Sequence, residues 1–206
     1  MSKIDLKKEF KPFYSASRKE VEFVDVPAMN FLMIDGQGDP GRATAYEQAV
    51  EALYSVAYTI KFAIKKGGAA IDYVVPPLQG LWWADDMSDF VTGKRDNWRW
   101  TMMIMQPEWV TASVVAAGIE TASRKKELPS LPLLRFADFR EGAAAQLLHI
   151  GPYADEGPTI ERLHTSIADH GLELRGRHHE IYLSDPRRSD PARLKTILRQ
   201  PVGNPQ

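Results

Sequence analysis

The chain has 206 residues, with 26 Lys and Arg against 27 Asp and Glu, a formal net charge of −1 and no cysteine. A near-neutral surface supplies no field to gather polyanions, so nucleic acid and anionic membrane are poor partners. Without cysteine, disulfides and thiolate metal sites are excluded.

At this length folding can hide ~70% of the unfolded surface, enough for a sizeable core. The N-terminus MSKIDLKKEFKPFYSASRKE is basic but has no apolar segment of signal-peptide type. The longest apolar stretch, near 110–119, is too short and mixed to cross a bilayer. The expectation is a cytoplasmic protein forming a single domain over residues 1–206.

In chain order, VEFVDVPAMNFLMIDG reads as strand, break at Pro27, strand, because proline cannot donate to a ladder. GQGDPG turns the chain into a helix predicted over 42–66. Its apolar stripe is Tyr46, Ala49, Val50, Leu53, Ala57, Ile60 and Ile64, and Gly67 and Gly68 end it. Strands are expected at 71–75 and 78–84, then a polar loop ADDMSDFVTGKRD, then a strand NWRWTMMIM. Pro107 is expected to open a second helix, EWVTASVVAAGIETASRKKE, followed by a Pro-rich link, LPSLPLLRF. The remainder reads as strand (143–151), helix from about Asp155 to Gly171, strand HEIYLS, turn, and a last strand ARLKTILRQPV.

This order repeats: strand, glycine, helix, glycine, strands. The predicted class is α+β, two fused β-α-β-β modules (20–126 and 134–202) related by a pseudo-twofold axis. Their antiparallel sheets carry helices on one face, with a ligand groove at the seam.

GQGDPG (Gly36, Gly38, Gly41) matches the glycine pattern of a dinucleotide cradle. It lacks the acid about 20 residues on, at the end of a second parallel strand, so turn geometry is the favoured explanation and no cofactor is implied. The histidines at 149, 164, 170, 178 and 179 do not share faces as metal ligands would. His178 and His179 are adjacent in a strand and point to opposite sides, so no metal site is expected.

Tyr54 and Tyr58, four apart on the long helix, form either a solvated edge or an aromatic row facing a groove. Trp82, Trp83, Trp98 and Trp100 exceed what a core of this size ordinarily holds. Some are expected in the core and the rest on a pocket wall, where flat rings hold planar ligands or cations. Alternation alone leaves open which do which. Alternation also places Glu180 with His178, Tyr182 and Ser184, opposite Ile181 and Leu183. Ile181 and Leu183 are expected on the core side against the helix, so Glu180 is expected to face away from it. The acid is then either solvated or the floor of an aromatic groove, where it holds a cation or activates water.

LLHIGPYADEGPTIERLHTSIADHGL, HHEIYLSDPRR and LKTILRQPV, with LYSVAYTIKFAIKKG, PPLQGLWW and MMIMQPEWV in the first half, resemble the free-standing members of the GyrI-like small-molecule-binding family. The resemblance covers nearly the whole chain. It implies that Glu180 lies in a ligand pocket and attracts planar hydrophobic or cationic compounds. A subfamily similar to this chain hydrolyses cyclopropane-bearing DNA-alkylating compounds inside an aromatic cage. That implies Glu180 and Tyr58 as catalytic residues, with Tyr54, Trp82, Trp83, Trp98, Trp100, Tyr153, Tyr182 and Gln79 around the ligand. The family pattern has an acid where this chain has Gln79, so the implied pocket lacks one charge. The expected partner is a small-molecule ligand. The alternative is a drug-binding sink without turnover, or an inhibitor of a partner protein. The sequence carries no sign of oligomeric state.

Overall fold

The structure is a computed structural model describing residues 3–68, 71–86, 89 and 93–205. It is a mixed α/β fold of antiparallel strands and helices. The expected polar loop over 84–96 falls partly outside the described residues. The described elements in order are α1 (Leu6–Glu9), α2 (Lys11–Tyr14), β1 (Glu22–Gln37), α3 (Thr44–Lys66), β2 (Leu78–Trp83), β3 (Arg99–Gln106), α4 (Ala112–Lys125), β4 (Arg135–Ile150), α5 (Gly157–Asp169), β5 (Glu173–Leu174), β6 (His178–Tyr182) and β7 (Lys195–Gly203).

Several boundaries differ from the sequence expectation. β1 continues through Pro27, whose exposed position asks no ladder bond of it. The stretch 71–75 forms no strand beyond a bridge between Tyr73 and Ile4. Pro107 does not open α4. The helix begins five residues later, where the Thr111 hydroxyl accepts from the Val114 N–H, because an oxygen that can satisfy an orphan amide outweighs a proline that merely tolerates the position. β4 extends back to Arg135 and absorbs part of the supposed link.

The chain forms two compact units. Unit 1 comprises Met1–Leu6, Met29–Pro76 and Trp82–Phe139; unit 2 comprises Lys7–Ala28, Pro77–Leu81 and Arg140–Gln206. Strands β1, β2 and β4 each pass from one unit to the other along the chain.

In unit 1, β1 pairs antiparallel with β3, Asn30 opposite Gln106 through Gln37 opposite Arg99. Helix α3 buries Ala49, Ala52, Leu53, Val56, Ala57, Ile60 and Lys61. This face is turned from the predicted stripe, so Lys61 enters the buried side and lies 3.4 Å from Asp72. Gly118 of α4 brings the two helices together; a Cβ there would sit 2.6 Å from Ile60.

In unit 2, β7 is the organising strand. β4 pairs with it from Ala144 opposite Pro201 to Ile150 opposite Lys195, and β6 from His179 opposite Arg199 to Tyr182 opposite Thr196. Helix α5 lays Leu163 and Ile167 on Ala145, Leu147 and Leu198. The period-3.6 stripe of the helix and the period-2 faces of β4 and β7 meet there to form this unit's core.

Candidate functional site

Register decides where Glu180 points. Residues directly opposite in an antiparallel pair project to the same side. Glu180 lies opposite Leu198, and Leu198 packs under α5. The helix side of β6 is therefore the side of His178, Glu180 and Tyr182, not that of Ile181. The expectation that Glu180 faces away from the helix is overturned. Its physical error was to assign the helix to the more apolar face. The other face, with His179 and Ile181, is the fully buried one, while His178, Glu180 and Tyr182 are half-buried.

On the helix side, the Tyr182 hydroxyl donates to Glu180 Oε2 at 2.7 Å. His178 Nε2 stands 3.6 Å from Glu180 Oε1. The Tyr153 and Tyr182 rings meet edge to face with centroids 5.6 Å apart. Tyr153 is 39% exposed and forms the outer rim of the cluster.

The segment carrying Tyr153 is pinned by His149, which has Thr159 Oγ1 3.0 Å from Nδ1 and the Pro152 carbonyl 3.2 Å from Nε2. This pattern suits an Nε2–H tautomer donating to the carbonyl and accepting from the threonine. Gly151, at φ 145, makes the turn that folds the chain back over this ring.

One further acid was missed by sequence reasoning. Glu156 precedes the first turn of α5, makes no capping bond through its side chain and is 5% exposed. Burial first, and the charge of Glu180 second, push its carboxyl up to about 9, against a smaller favourable effect of Thr196. The positive end of α5 opposes that rise, but such a dipole is worth at most about 2 kcal/mol. Burial and the charge of Glu180 outweigh that dipole and favour the protonated carboxyl. Glu156 Oε1, Thr196 Oγ1 and both His178 nitrogens are buried without hydrogen-bond partners. Burial and the nearby His178 together hold His164 of α5 below the usual histidine range.

The opposite face of β6 holds a buried polar network. His179 Nδ1 lies 2.8 Å from Glu141 Oε1 and its Nε2 lies 3.0 Å from Gln79 Oε1. Arg199 donates to Glu141 Oε2 at 2.9 Å, to Gln146 Oε1 and to the Phe13 carbonyl. Gln79 bonds the Tyr14 hydroxyl at 2.9 Å. Burial would raise Glu141, but the charges and hydrogen bonds of His179 and Arg199 outweigh it and hold the carboxyl at about 2. Burial pushes His179 down more than Glu141 pulls it up. Two oxygens face His179, which fits an imidazolium, and its charge is then one of those that lower Glu141. Gln79 is thus a buried structural partner of His179. The network's members, spread from 14 to 199, share no motif that could reveal them.

The remaining sequence candidates lie in unit 1. Trp100, 1% exposed, and Trp82 are core residues; Tyr46 packs on both. Trp83 and Trp98 are half-buried, and Trp98 meets Trp82 edge to face. Tyr54, Tyr58 and Phe62 stack successively at 6.1 and 6.2 Å along α3, with Tyr58 45% exposed. In GQGDPG, Gly36 lies opposite Trp100, and a Cβ there would come within 2.1 Å of the indole. β1 is registered antiparallel to β3, so the parallel unit of a dinucleotide cradle is absent from that pairing. Among the described residues no three His, Asp or Glu side chains gather as metal ligands would. No helix among them is long and apolar enough to cross a membrane.

The sequence pattern of the GyrI-like small-molecule-binding domain matches residues 19–201. The chain belongs to the GyrI-like family. Among solved structures, this GyrI-like chain is similar to an uncharacterized conserved protein from Listeria innocua, with 42% identity and a TM-score of 0.90 over 98% of this chain and 100% of that one. A hydrolase from Listeria innocua has 41% identity and a TM-score of 0.85 over the same shares. The EcmrR C-terminal domain, at 11% identity and a TM-score of 0.56 over 90% of this chain and 98% of that one, shares the fold alone. None of the curated proteins compared with the chain is significantly similar.

Proposed function

We propose that this GyrI-like chain binds planar hydrophobic or cationic small molecules against Glu180 and hydrolyses cyclopropane-bearing electrophilic xenobiotics there. The observation that carries the reading is the fixed carboxylate of Glu180, oriented by Tyr182 at 2.7 Å behind an aromatic rim formed by Tyr153. A carboxylate in such a place attracts a cation, and flat rings beside it hold a planar body. The hydrolase label of a relative 41% identical supports the catalytic half. On the same reading the chain is two β-α-β-β modules related by a pseudo-twofold.

In the proposed reaction Glu180 takes a proton from a water whose oxygen attacks the strained ring carbon. The ring C–C bond breaks, and its electron pair passes through the conjugated carbonyl to oxygen. The Tyr153 hydroxyl, in the donor role that the resemblance implied for Tyr58, donates a hydrogen bond to the phenolate that forms, lowering the barrier. The phenolate then takes a proton from solvent and Glu180 returns its own, so the net change is addition of water.

Glu180→Gln keeps the shape and removes the base. The expected result is loss of product, read by mass spectrometry of a cyclopropane alkylator, with ligand binding reduced but present. Unchanged turnover in this variant would sink the mechanism. The second reading, a drug-binding sink or partner inhibitor without turnover, draws on the Tyr182 hydrogen bond, which already occupies one oxygen of Glu180. Binding by the wild-type chain with no product at any pH would establish it.

A further inference from the structure

Glu156 takes no part in the steps above, and its burial brings no evident structural gain. It makes no capping bond for α5, and Oε1 has no partner. A carboxyl group hidden in this way is costly. Register ties it to Glu180. Tyr182, which bonds Glu180 at 2.7 Å, lies opposite Thr196, and the buried Thr196 hydroxyl lies beside Glu156 and lowers it.

We propose that Glu156 is a proton-carrying positioning partner of Glu180, and that a cation seated against Glu180 drives the Glu156 proton into solvent, so that this site exchanges an organic cation for a proton. The inference rests on the reading of Glu180 as the ligand-anchoring acid. The balance is simple: one carboxylic O–H bond breaks, the proton goes to buffer, and the ligand's positive charge replaces it beside two carboxylates. Without ligand, two like charges in a dry site cannot both be carried cheaply.

The elements around Glu156 carry these titratable and charged groups. β6 carries His178, His179, Glu180 and Tyr182; α5 carries Glu161, Arg162, His164 and Asp169; β4 carries Arg135, Asp138, Arg140, Glu141 and His149, the last held by Thr159 and the Pro152 carbonyl; β7 begins at the exposed Lys195 and carries Arg199. Of these, Glu180 is the charge that acts on Glu156, and it acts upward, in the same direction as burial. A cation on Glu180 removes that push. Proton release then falls on the alkaline side of neutrality, between the lowered value with ligand and about 9 without it.

The test uses the full chain and two probes of one shape, N-methylacridinium (a permanent cation) and acridine, neutral above about pH 7. Calorimetry at about pH 8.5 in two buffers of different ionisation enthalpy reads protons released on binding. The expected result is release with N-methylacridinium and none with acridine. The cation's affinity should rise severalfold from about pH 7 to about pH 9, within the limit of about tenfold per pH unit that one proton sets. Glu156→Gln should bind the cation with an affinity that no longer depends on pH over this range.

No proton release by the wild-type chain, or an unchanged pH slope in Glu156→Gln, would overturn the inference. The wild-type calorimetry needs no variant to fold. If Glu180→Gln loses the cation while Glu156→Gln keeps its slope, this inference alone falls. If the wild-type chain binds no cation at any pH, the reading of Glu180 falls with it.

Discussion

At the scale of single residues, two acids in unit 2 have opposite fates for one reason, the charge of their neighbours. Glu156 meets another acid, and burial keeps it protonated up to about pH 9. Its folded value lies above its unfolded one. Its contribution is therefore complete below about pH 4.5 and is lost as pH rises toward about 9. Glu156→Gln removes this dependence. Wild type and variant should be close in stability near pH 4. By pH 8 the variant should be the more stable by several kcal/mol, up to roughly 5 if nothing relaxes, as read by urea denaturation. Glu141 meets Arg199 and His179, which overcome burial and hold it at about 2. With a depressed folded value, its stabilisation is present above about pH 4.5 and is lost as pH falls toward about 2. That loss is on the order of 3 kcal/mol.

At the scale of elements, the Glu141 network joins β4, β6 and β7 to the N-terminal segment, because Arg199 and Gln146 satisfy the carbonyls of Pro12, Phe13 and Ser15. Glu141→Gln would leave Arg199 charged and uncompensated in a dry site. A loss of about 3–5 kcal/mol is expected, measured as a fall in denaturant midpoint. A smaller loss in Glu141→Gln combined with Arg199→Met would show that the cost lies in the unpaired charge. In unit 1, the β1–β3 pairing depends on Gly36, since the Trp100 ring fills the space a side chain would take. Gly36→Ala should cost about 1–3 kcal/mol through forced displacement of the indole.

At the scale of the whole molecule, ligand and fold are linked. A compound that binds only the folded chain, present at about a hundredfold its Kd, adds about 2.7 kcal/mol. For a chain of this size that is a Tm increase of about 5–10 °C. N-methylacridinium should produce it, and the wild-type chain should show none with NAD or NADP. A shift with a dinucleotide would revive the cradle reading of GQGDPG, against the antiparallel pairing of β1 with β3.

The family, the mixed class, and the main helices and strands were legible in the chain before folding. Each of these is written in short-range patterns: a 3.6-residue stripe, an alternation, a run of motif residues. Only the tertiary structure decided which face of β6 meets α5. Alternation separates two faces without saying which one the helix covers; here the fully buried face lies away from α5 and the half-buried one toward it, so the reading from apolar content chose wrongly. Glu156 was invisible for a related reason. In the sequence it is one acid in YADEGP, beside Asp155; its proton comes from strands that bring Glu180 and Thr196 to it from 24 and 40 residues away. Burial and charge act through space, and the pairing of β6 with β7 is what sets those distances.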